Sequence, residues 1–175
     1  WRIWPSFPDN VVLFQLCDAA LLGTSAWLIA RSSERWQTSR VVRIIALVLG
    51  FIAFPLLTMI GVRFSEPLFL VLAVGATGLA DRKETTLAGA MAAGVLAGLA
   101  VLARSIGVSV VGGVALALWL RRERRAAFVA LAAATLVLAP WFAWTAAHGQ
   151  EIDPRIAANY GTYAADAGQA GLGAF

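Results

Sequence analysis

The sequence has few charged residues for its length, which argues against an ordinary soluble domain. Only 14% of its 175 residues are Asp, Glu, Lys or Arg, whereas 60% are hydrophobic. A soluble domain carries about 25% charged residues. The single cysteine, Cys17, excludes a disulfide within the chain and a metal site built from thiolates. We interpret the single histidine, His148, as an ordinary interfacial side chain rather than a metal ligand.

The positive charges are interspersed with apolar segments and are not gathered on one face. The formal net charge of +4 therefore does not indicate a nucleic-acid partner, and we expect none. Basic residues between apolar segments instead indicate membrane topology. The lipid bilayer is the first partner that the composition predicts.

The hydropathy pattern predicts an all-α fold, a polytopic transmembrane helical bundle with about six spans. About 20 apolar helical residues cross a hydrocarbon core of roughly 30 Å. We expect extracytoplasmic segments before and after this bundle, an interfacial one at 1–9 and a polar one at 149–175. The predicted spans are 10–30, 41–62, 66–80, 86–103, 107–120 and 126–147.

The distribution of Lys and Arg predicts the orientation of these spans. The turns at 31–43, 81–84 and 121–125 hold ten of the fourteen basic residues. The opposite side holds the remaining four, and cytoplasmic loops are the ones enriched in Lys and Arg. The other turns, including those at Glu66 and Arg104, are therefore expected on the extracytoplasmic side.

Two charged residues, Glu66 and Arg104, begin or precede spans that are unusually short. The spans at 66–80 and 107–120 have 15 and 14 residues, or roughly 21–22 Å of helix. Their outer ends are thus predicted to lie below the membrane surface, where a charge requires a partner or a water-filled cavity. We expect both residues to open onto an outward-facing pocket.

Each of these charges also has a simpler interpretation. Glu66 follows Ser65, a favourable N-cap, and precedes Pro67, so it can be the acid of a capped helix start. Arg104 can be an arginine whose side chain extends to the surface. If Arg104 faces the pocket, its planar guanidinium suits phosphate oxygens. Arg63 is a second candidate for phosphate binding, or an interfacial anchor.

Weaker candidates lie elsewhere in the chain. Asp18 is expected near mid-membrane, with Gln15 one turn before it, and is either functional or a hydrogen-bonded acid that ties helices together. The spacing Gly94-Val-Leu-Ala-Gly98 predicts close approach of another helix. The residues assigned to a possible polar cavity are Ser65, Asp18, Asn159 and Tyr160.

Five short motifs follow one another along the chain: Ser-Glu-Pro-Leu-Phe at 65–69, Leu-Ala-Val-Leu-Ala-Arg-Ser-Ile-Gly at 99–107, Leu-Trp-Leu-Arg-Arg at 118–122, Ala-Pro-Trp-Phe at 139–142 and Asn-Tyr-Gly at 159–161. Their order and spacing resemble the GT-C superfamily of polytopic membrane glycosyltransferases. The resemblance extends over about residues 10–161. It is strongest to the bacterial branch of enzymes like protein O-mannosyltransferases and lipid A aminoarabinose transferases.

The resemblance implies an inverting transferase in the bacterial cytoplasmic (inner) membrane. Such enzymes pass a sugar from a polyprenyl-phosphate donor to an extracytoplasmic protein, lipid or glycan acceptor, and many depend on a divalent metal ion. Glu66 matches the acid of the family's Ser-Glu-Pro-like turn as a supporting residue, and Arg104 matches a basic residue after the Leu-Ala-rich helix. The catalytic Asp of such enzymes is expected upstream of Trp1, so we interpret the chain as an internal fragment. The resemblance assigns no metal ligand to a residue of this sequence.

Two other classes of protein fit parts of the pattern. A transporter or flippase of polyprenyl-linked or other anionic lipids also contains short helices and intramembrane charges. It requires access from both sides, and commonly inverted repeats, which are not visible in these spans. A purely structural membrane subunit explains the glycine spacing but leaves Glu66 and Arg104 unexplained.

Overall fold

The computed structural model describes residues 11–34, 39–52, 65–82 and 84–148, and the regular structure in these ranges is helical throughout. The prediction of an all-α fold is therefore confirmed for these residues. The elements are α1 (Val11–Ser33), α2 (Arg40–Ile52), α3 (Glu66–Ala80), α4 (Leu87–Ala103), η1 (Ser105–Gly107), α5 (Val108–Leu120) and α6 (Arg124–His148). Of these, η1 is a short 3-10 helix and the others are α-helices.

Two helices of the described part are long and apolar enough to cross a membrane, namely Val11–Ser33 and Arg124–Ala147. The segments Glu66–Ala80, Leu87–Ala103 and Ser105–Leu120 are apolar but shorter. The six-span arrangement therefore stays a prediction. The expected segments 1–9 and 149–175, and part of the span at 41–62, lie outside the described residues.

The boundaries of α4 follow from its local sequence. Thr86 has an extended backbone (φ −64°, ψ 153°), and its side chain accepts a hydrogen bond of 3.1 Å from the backbone N–H of Gly89. Such a cap satisfies one of the amide groups that a helix start leaves unpaired. Arg104 ends the helix because its extended backbone (φ −153°, ψ 138°) cannot continue it.

The hydrophobic core of the described residues consists mainly of alanine, and this allows the helices to approach closely. Its fully buried members come from four helices: Ala76, Ala80, Ala90, Ala93, Ala97, Val114, Leu118, Ala126, Ala127 and Ala130. With such small side chains, neighbouring backbones rather than long side chains are in contact, as in membrane helix pairs.

The glycine pair Gly94 and Gly98 packs against the first half of α6. A Cβ atom on Gly94 would collide with the backbone of Ala130. A Cβ atom on Gly98 would lie 3.0 Å from the carbonyl oxygen of Ala134. The predicted close approach of another helix to this glycine pair is confirmed, and α6 is that helix.

The turn between α5 and α6 is held by a Schellman motif and by Arg121. Arg122 has a left-handed backbone (φ 64°), and the N–H groups of Arg122 and Glu123 donate to the carbonyls of Trp119 and Leu118 at 2.9 and 3.0 Å. The Arg121 guanidinium donates to the carbonyl of Ala80 at 2.8 Å and also to that of Arg82. These contacts fix the end of α3 beside the end of α5.

The chain divides into two compact units, residues 1–138 and 139–175. The described part of the second unit is the last turns of α6. Pro140 lies inside this helix, and the rings of Trp141 and Trp144 stack with their centroids 5.6 Å apart. The Thr145 hydroxyl donates to the carbonyl of Phe142 at 3.1 Å.

Candidate functional site

The two charged residues singled out in the sequence form an ion pair with each other. Nη1 of Arg104 donates to Oε1 of Glu66, across 38 positions of sequence. Glu66 is the first residue of α3, and Arg104 directly follows α4. The Glu66 side chain is 23% exposed and that of Arg104 is 41% exposed, so the arginine is the more accessible partner.

Helix lengths explain why these two residues meet. The helices α3 and α4 have 15 and 17 residues and are separated by only six residues of sequence. They are packed neighbours, so the start of the first helix lies beside the end of the second. Opposite charges at these two positions therefore come together without any irregularity in either helix.

The turn that carries Arg104 is fixed by Gly107. The Arg104 N–H donates to the carbonyl of Ala100 at 2.9 Å, and the Arg104 carbonyl accepts from the N–H of Gly107 at 2.8 Å. Gly107 is buried, and a Cβ atom there would collide with the backbone of Ala100 and Val101. Only glycine permits this close return of the chain, which sets the backbone position of Arg104.

The start of α3 differs from its prediction in one respect. Ser65 precedes the helix, but its backbone is helical (φ −74°, ψ −4°) and its side chain makes no capping hydrogen bond. The expectation of a Ser65 side-chain cap was therefore wrong. A capping oxygen normally accepts from the second or third helical N–H, and the second position is Pro67, which has none.

The electrostatics of the pair leave Arg104 able to bind a second anion. Within the described part of the chain, the bond to Glu66 is the only hydrogen bond that either side chain makes. Oε2 of Glu66 is buried and has no hydrogen-bond partner there. An arginine has five N–H donors. Those of Arg104 that do not bind Glu66 are available to a planar or tetrahedral oxyanion.

None of the other predicted residues that the structure describes makes a hydrogen bond or ion pair with Glu66 or Arg104. Asp18 and Gln15 are half-buried in α1, and Asp18 makes no hydrogen bond or ion pair with another described residue. Ser65 is exposed next to Glu66. The remaining candidates lie outside the described residues: Arg63, Asn159 and Tyr160.

A divalent metal ion does not fit the described residues as they stand. They contain no group of three or more His, Cys, Asp or Glu side chains that could hold one. The carboxylate of Glu66 is paired with a guanidinium, whose charge opposes that of a metal ion. These residues alone therefore support no metal-dependent step.

Comparison with known proteins decides the family. The sequence model of glycosyltransferase family 87 matches residues 3–165, which is most of the chain. The chain belongs to glycosyltransferase family 87. No curated protein and no solved structure matches it. Family 87 is a membrane family of the GT-C type, which confirms the superfamily predicted from the sequence motifs.

Membership of family 87 indicates a membrane-associated glycosyltransferase, with a sugar donor and an acceptor as its partners. The match does not identify which branch of the superfamily is nearest, so the likeness to O-mannosyltransferase and aminoarabinose transferase enzymes stays a prediction. Glu66 and Arg104 both lie inside the matched residues.

The structure of this family 87 glycosyltransferase contains a large cavity that the sequence did not predict. It has a volume of about 570 Å³ and lies between α1, α3 and α5, towards the end of α3 that is away from Glu66. Its lining includes Ser32, Asp81 and Arg121 at the charged turns and Val74 and Val114 deeper in. No single stretch of sequence indicates it, because three separate helices form its walls.

Proposed function

We propose that this family 87 glycosyltransferase moves a sugar from a polyprenyl-phosphate donor to a hydroxyl of a protein, lipid or glycan acceptor, with inversion at the anomeric carbon. The observation that carries the proposal is the ion pair of Arg104 with Glu66 at the end of two apolar helices. A guanidinium held by a carboxylate in apolar surroundings is an anion-binding group whose direction is already set.

The membrane arrangement belongs to the same proposal. Six spans place the turns of Glu66 and Arg104 on the extracytoplasmic side of a bacterial cytoplasmic membrane, opposite the basic turns. The two long apolar helices support membrane insertion. In this proposal the ion pair lies below the membrane surface, because α3 and α5 are short for a full span, and a lipid-linked donor enters sideways from the bilayer.

Glu66 has a supporting role in this site. Its carboxylate lowers the cost of keeping Arg104 in apolar surroundings and restricts the rotation of the guanidinium. Because the pair is close to neutral, a donor phosphate is bound by directed N–H groups rather than by a bare charge. Arg104 is then the phosphate-binding residue, and Glu66 positions it.

The chemistry needs negative charge to be stabilised on the leaving phosphate. The acceptor oxygen forms a bond to the anomeric carbon while the bond from that carbon to the phosphate oxygen breaks. The acceptor proton passes to a carboxylate base, which we expect to be an Asp preceding Trp1, and polyprenyl phosphate leaves with one more negative charge. Arg104 binds that oxygen more strongly as its charge grows, which favours the transition state.

The test is transfer of labelled sugar from a synthetic polyprenyl-phosphate donor, with wild-type protein and its variants in membranes. Arg104→Ala should lower turnover by about 100-fold or more, the usual effect of removing one donor to a developing anion. Arg104→Lys keeps the charge but loses the planar fork and should recover only part of the rate. Arg31→Ala, which removes an exposed arginine of α1, is the matched control and should retain turnover.

Wild-type turnover in Arg104→Ala would overturn the assignment. Membrane extraction and the helical circular dichroism of each variant establish that it is inserted and folded. Movement of the labelled donor lipid across vesicles without sugar transfer would support the transporter alternative instead.

A further inference from the structure

A basic cavity lies at the turn between α5 and α6, at the opposite end of α5 from Arg104. It has a volume of about 360 Å³, and its lining includes the exposed arginines Arg122, Arg124 and Arg125. Glu123 also lines it, but Oε1 of Glu123 is paired with Nη2 of Arg121 at 2.8 Å. Because Arg121 balances Glu123, the three arginines of the cavity leave it strongly positive.

An apolar groove of about 310 Å³ lies between α5 and α6. Its two aromatic residues are exposed, with Trp119 46% and Phe128 61% accessible. Their rings meet edge to face at 5.9 Å between centroids. The groove is lined by Ala115, Leu116, Trp119, Ala127, Phe128 and Leu131.

The basic cavity and the apolar groove are connected through Trp119 and Arg124. Trp119 lines the groove, Arg124 lines the basic cavity, and the Arg124 guanidinium lies 5.2 Å from the centre of the Trp119 ring. Such a cation–π contact favours this arrangement and still exposes guanidinium N–H groups at its edge. Tryptophan is also favoured where a membrane helix meets the headgroups.

We propose that this joined surface binds a glycerophospholipid with an anionic headgroup. The lipid phosphate contacts Arg122, Arg124 and Arg125, and one acyl chain lies along the groove towards Leu131. Leu131 lies seven positions after Arg124, which gives roughly 10 Å of apolar groove along the helix. A soluble phosphate leaves the groove uncovered, and a zwitterionic lipid leaves the arginines without a net opposite charge.

This lipid site is independent of the proposed donor site. The helix α5 has 13 residues, so its two ends are roughly 20 Å apart. A lipid at the basic turn therefore does not occupy the ion pair of Glu66 and Arg104. It would stabilise the packing of α5 on α6 from the membrane side.

Native mass spectrometry of the detergent-purified protein tests the proposal, with phosphatidylglycerol and phosphatidylcholine of the same acyl chains as probes. The wild-type protein should retain more phosphatidylglycerol than phosphatidylcholine. The double variant Arg124→Gln/Arg125→Gln should lose at least tenfold of its apparent affinity for phosphatidylglycerol, because each basic residue near a lipid headgroup contributes appreciably to binding. Binding of phosphatidylcholine should not change.

The matched control is Arg31→Gln. Arg31 also lies over a tryptophan, at 5.8 Å from the centre of the Trp27 ring, at the basic end of another helix. It should retain wild-type lipid binding. If the double variant does not fold, Arg125→Gln alone, which removes no described contact, should still weaken binding about threefold.

Three results would overturn the proposal. If Arg31→Gln loses as much affinity for phosphatidylglycerol as the double variant does, the lipid is attracted to basic turns in general and not to this surface. Equal retention of phosphatidylcholine by wild type would exclude selection of the headgroup. Binding of glycerol phosphate as tight as that of the lipid would mean a soluble phosphate site that does not use the groove.

Discussion

Arg104 and Glu66 neutralise each other at the end of two apolar helices, through a hydrogen bond from Nη1 to Oε1. The pair has two separable properties. As an ion pair, it lowers the cost that either charge would have alone at the end of an apolar helix. As an oriented guanidinium, it offers N–H groups to an anion. Only this anion-binding property requires the arginine to follow α4 and the carboxylate to start α3.

Exchange of the two residues separates these properties. Arg104→Glu should destabilise the protein by about 1–3 kcal/mol, because it places two carboxylates together. The double exchange Glu66→Arg/Arg104→Glu restores an opposite pair and should recover most of that loss. Sugar transfer should remain absent, because the guanidinium now starts from α3.

Thermal unfolding in detergent and the transfer assay together measure this prediction. Glu66→Arg alone is the second single variant, and it should be as unstable as Arg104→Glu. Recovery of turnover by the double exchange would contradict phosphate binding by an arginine at position 104.

The ends of the helices were predictable because local chemistry sets them. The segment predicted at 66–80 coincides with α3, and the one at 86–103 differs from α4 by a single residue. Both start at residues with a local reason to begin a helix, Pro67 in one first turn and Thr86 as the other cap. Charged turns at the far ends complete the signal.

The contacts between helices were not predictable in the same way. The sequence marks Glu66 and Arg104 as exceptional but leaves open whether each faces water, a ligand or a partner. Only the packing of α3 on α4 shows that they face each other. The hydrogen bonds from the Arg121 guanidinium to the carbonyls of Ala80 and Arg82 were not predicted either, because a sequence does not show which backbone carbonyls a side chain will reach.

The glycines of α4 are expected to differ in their tolerance of a methyl group. Gly94→Ala should destabilise the protein by about 1–3 kcal/mol, because its Cβ atom collides with the backbone of Ala130. Gly98→Ala should cost less, because the nearest atoms lie at 3.0 Å and include a side chain, that of Val137.

Gly112→Ala in α5 is the control for this pair, because a Cβ atom added there would meet no described atom of another helix within 4 Å. It should be neutral or stabilise the helix by about 0.5–1 kcal/mol. Thermal unfolding of the three variants should therefore rank Gly94→Ala lowest and Gly112→Ala highest. Equal midpoints for Gly94→Ala and Gly112→Ala would show that α4 and α6 are not in close backbone contact.

Arg122 occupies a position that favours glycine. Its left-handed backbone (φ 64°) closes the Schellman motif after α5, and this conformation costs an ordinary residue roughly 1–2 kcal/mol. Arg122→Gly should raise stability by about 0.5–1 kcal/mol, since part of the relief is lost to the greater entropy of the unfolded chain. Unfolding should be measured in detergent without anionic lipid.

Arg125→Gly is the matched control for Arg122, because it removes the same charge from the first turn of α6. It should lower stability by about 0.5–1 kcal/mol. Equal effects of the two glycine substitutions would mean that charge, and not backbone conformation, governs stability at this turn.

Gly107 connects the fold to the proposed site, so its substitution should affect both stability and transfer. In Gly107→Ala, the new methyl group collides with the backbone of Ala100 and Val101. The turn after Arg104 must then open, at a cost of about 1–3 kcal/mol, and the guanidinium moves away from its position beside Glu66.

Ser105→Ala is the control for Gly107→Ala, because it changes an exposed side chain of the same turn and should leave stability and turnover unchanged. Transfer by Gly107→Ala, assayed well below its unfolding midpoint, should fall at least tenfold, because misplacing a binding group by about 1 Å has effects of this size or larger. Full turnover in a folded Gly107→Ala protein would show that the backbone position of Arg104 does not limit the reaction.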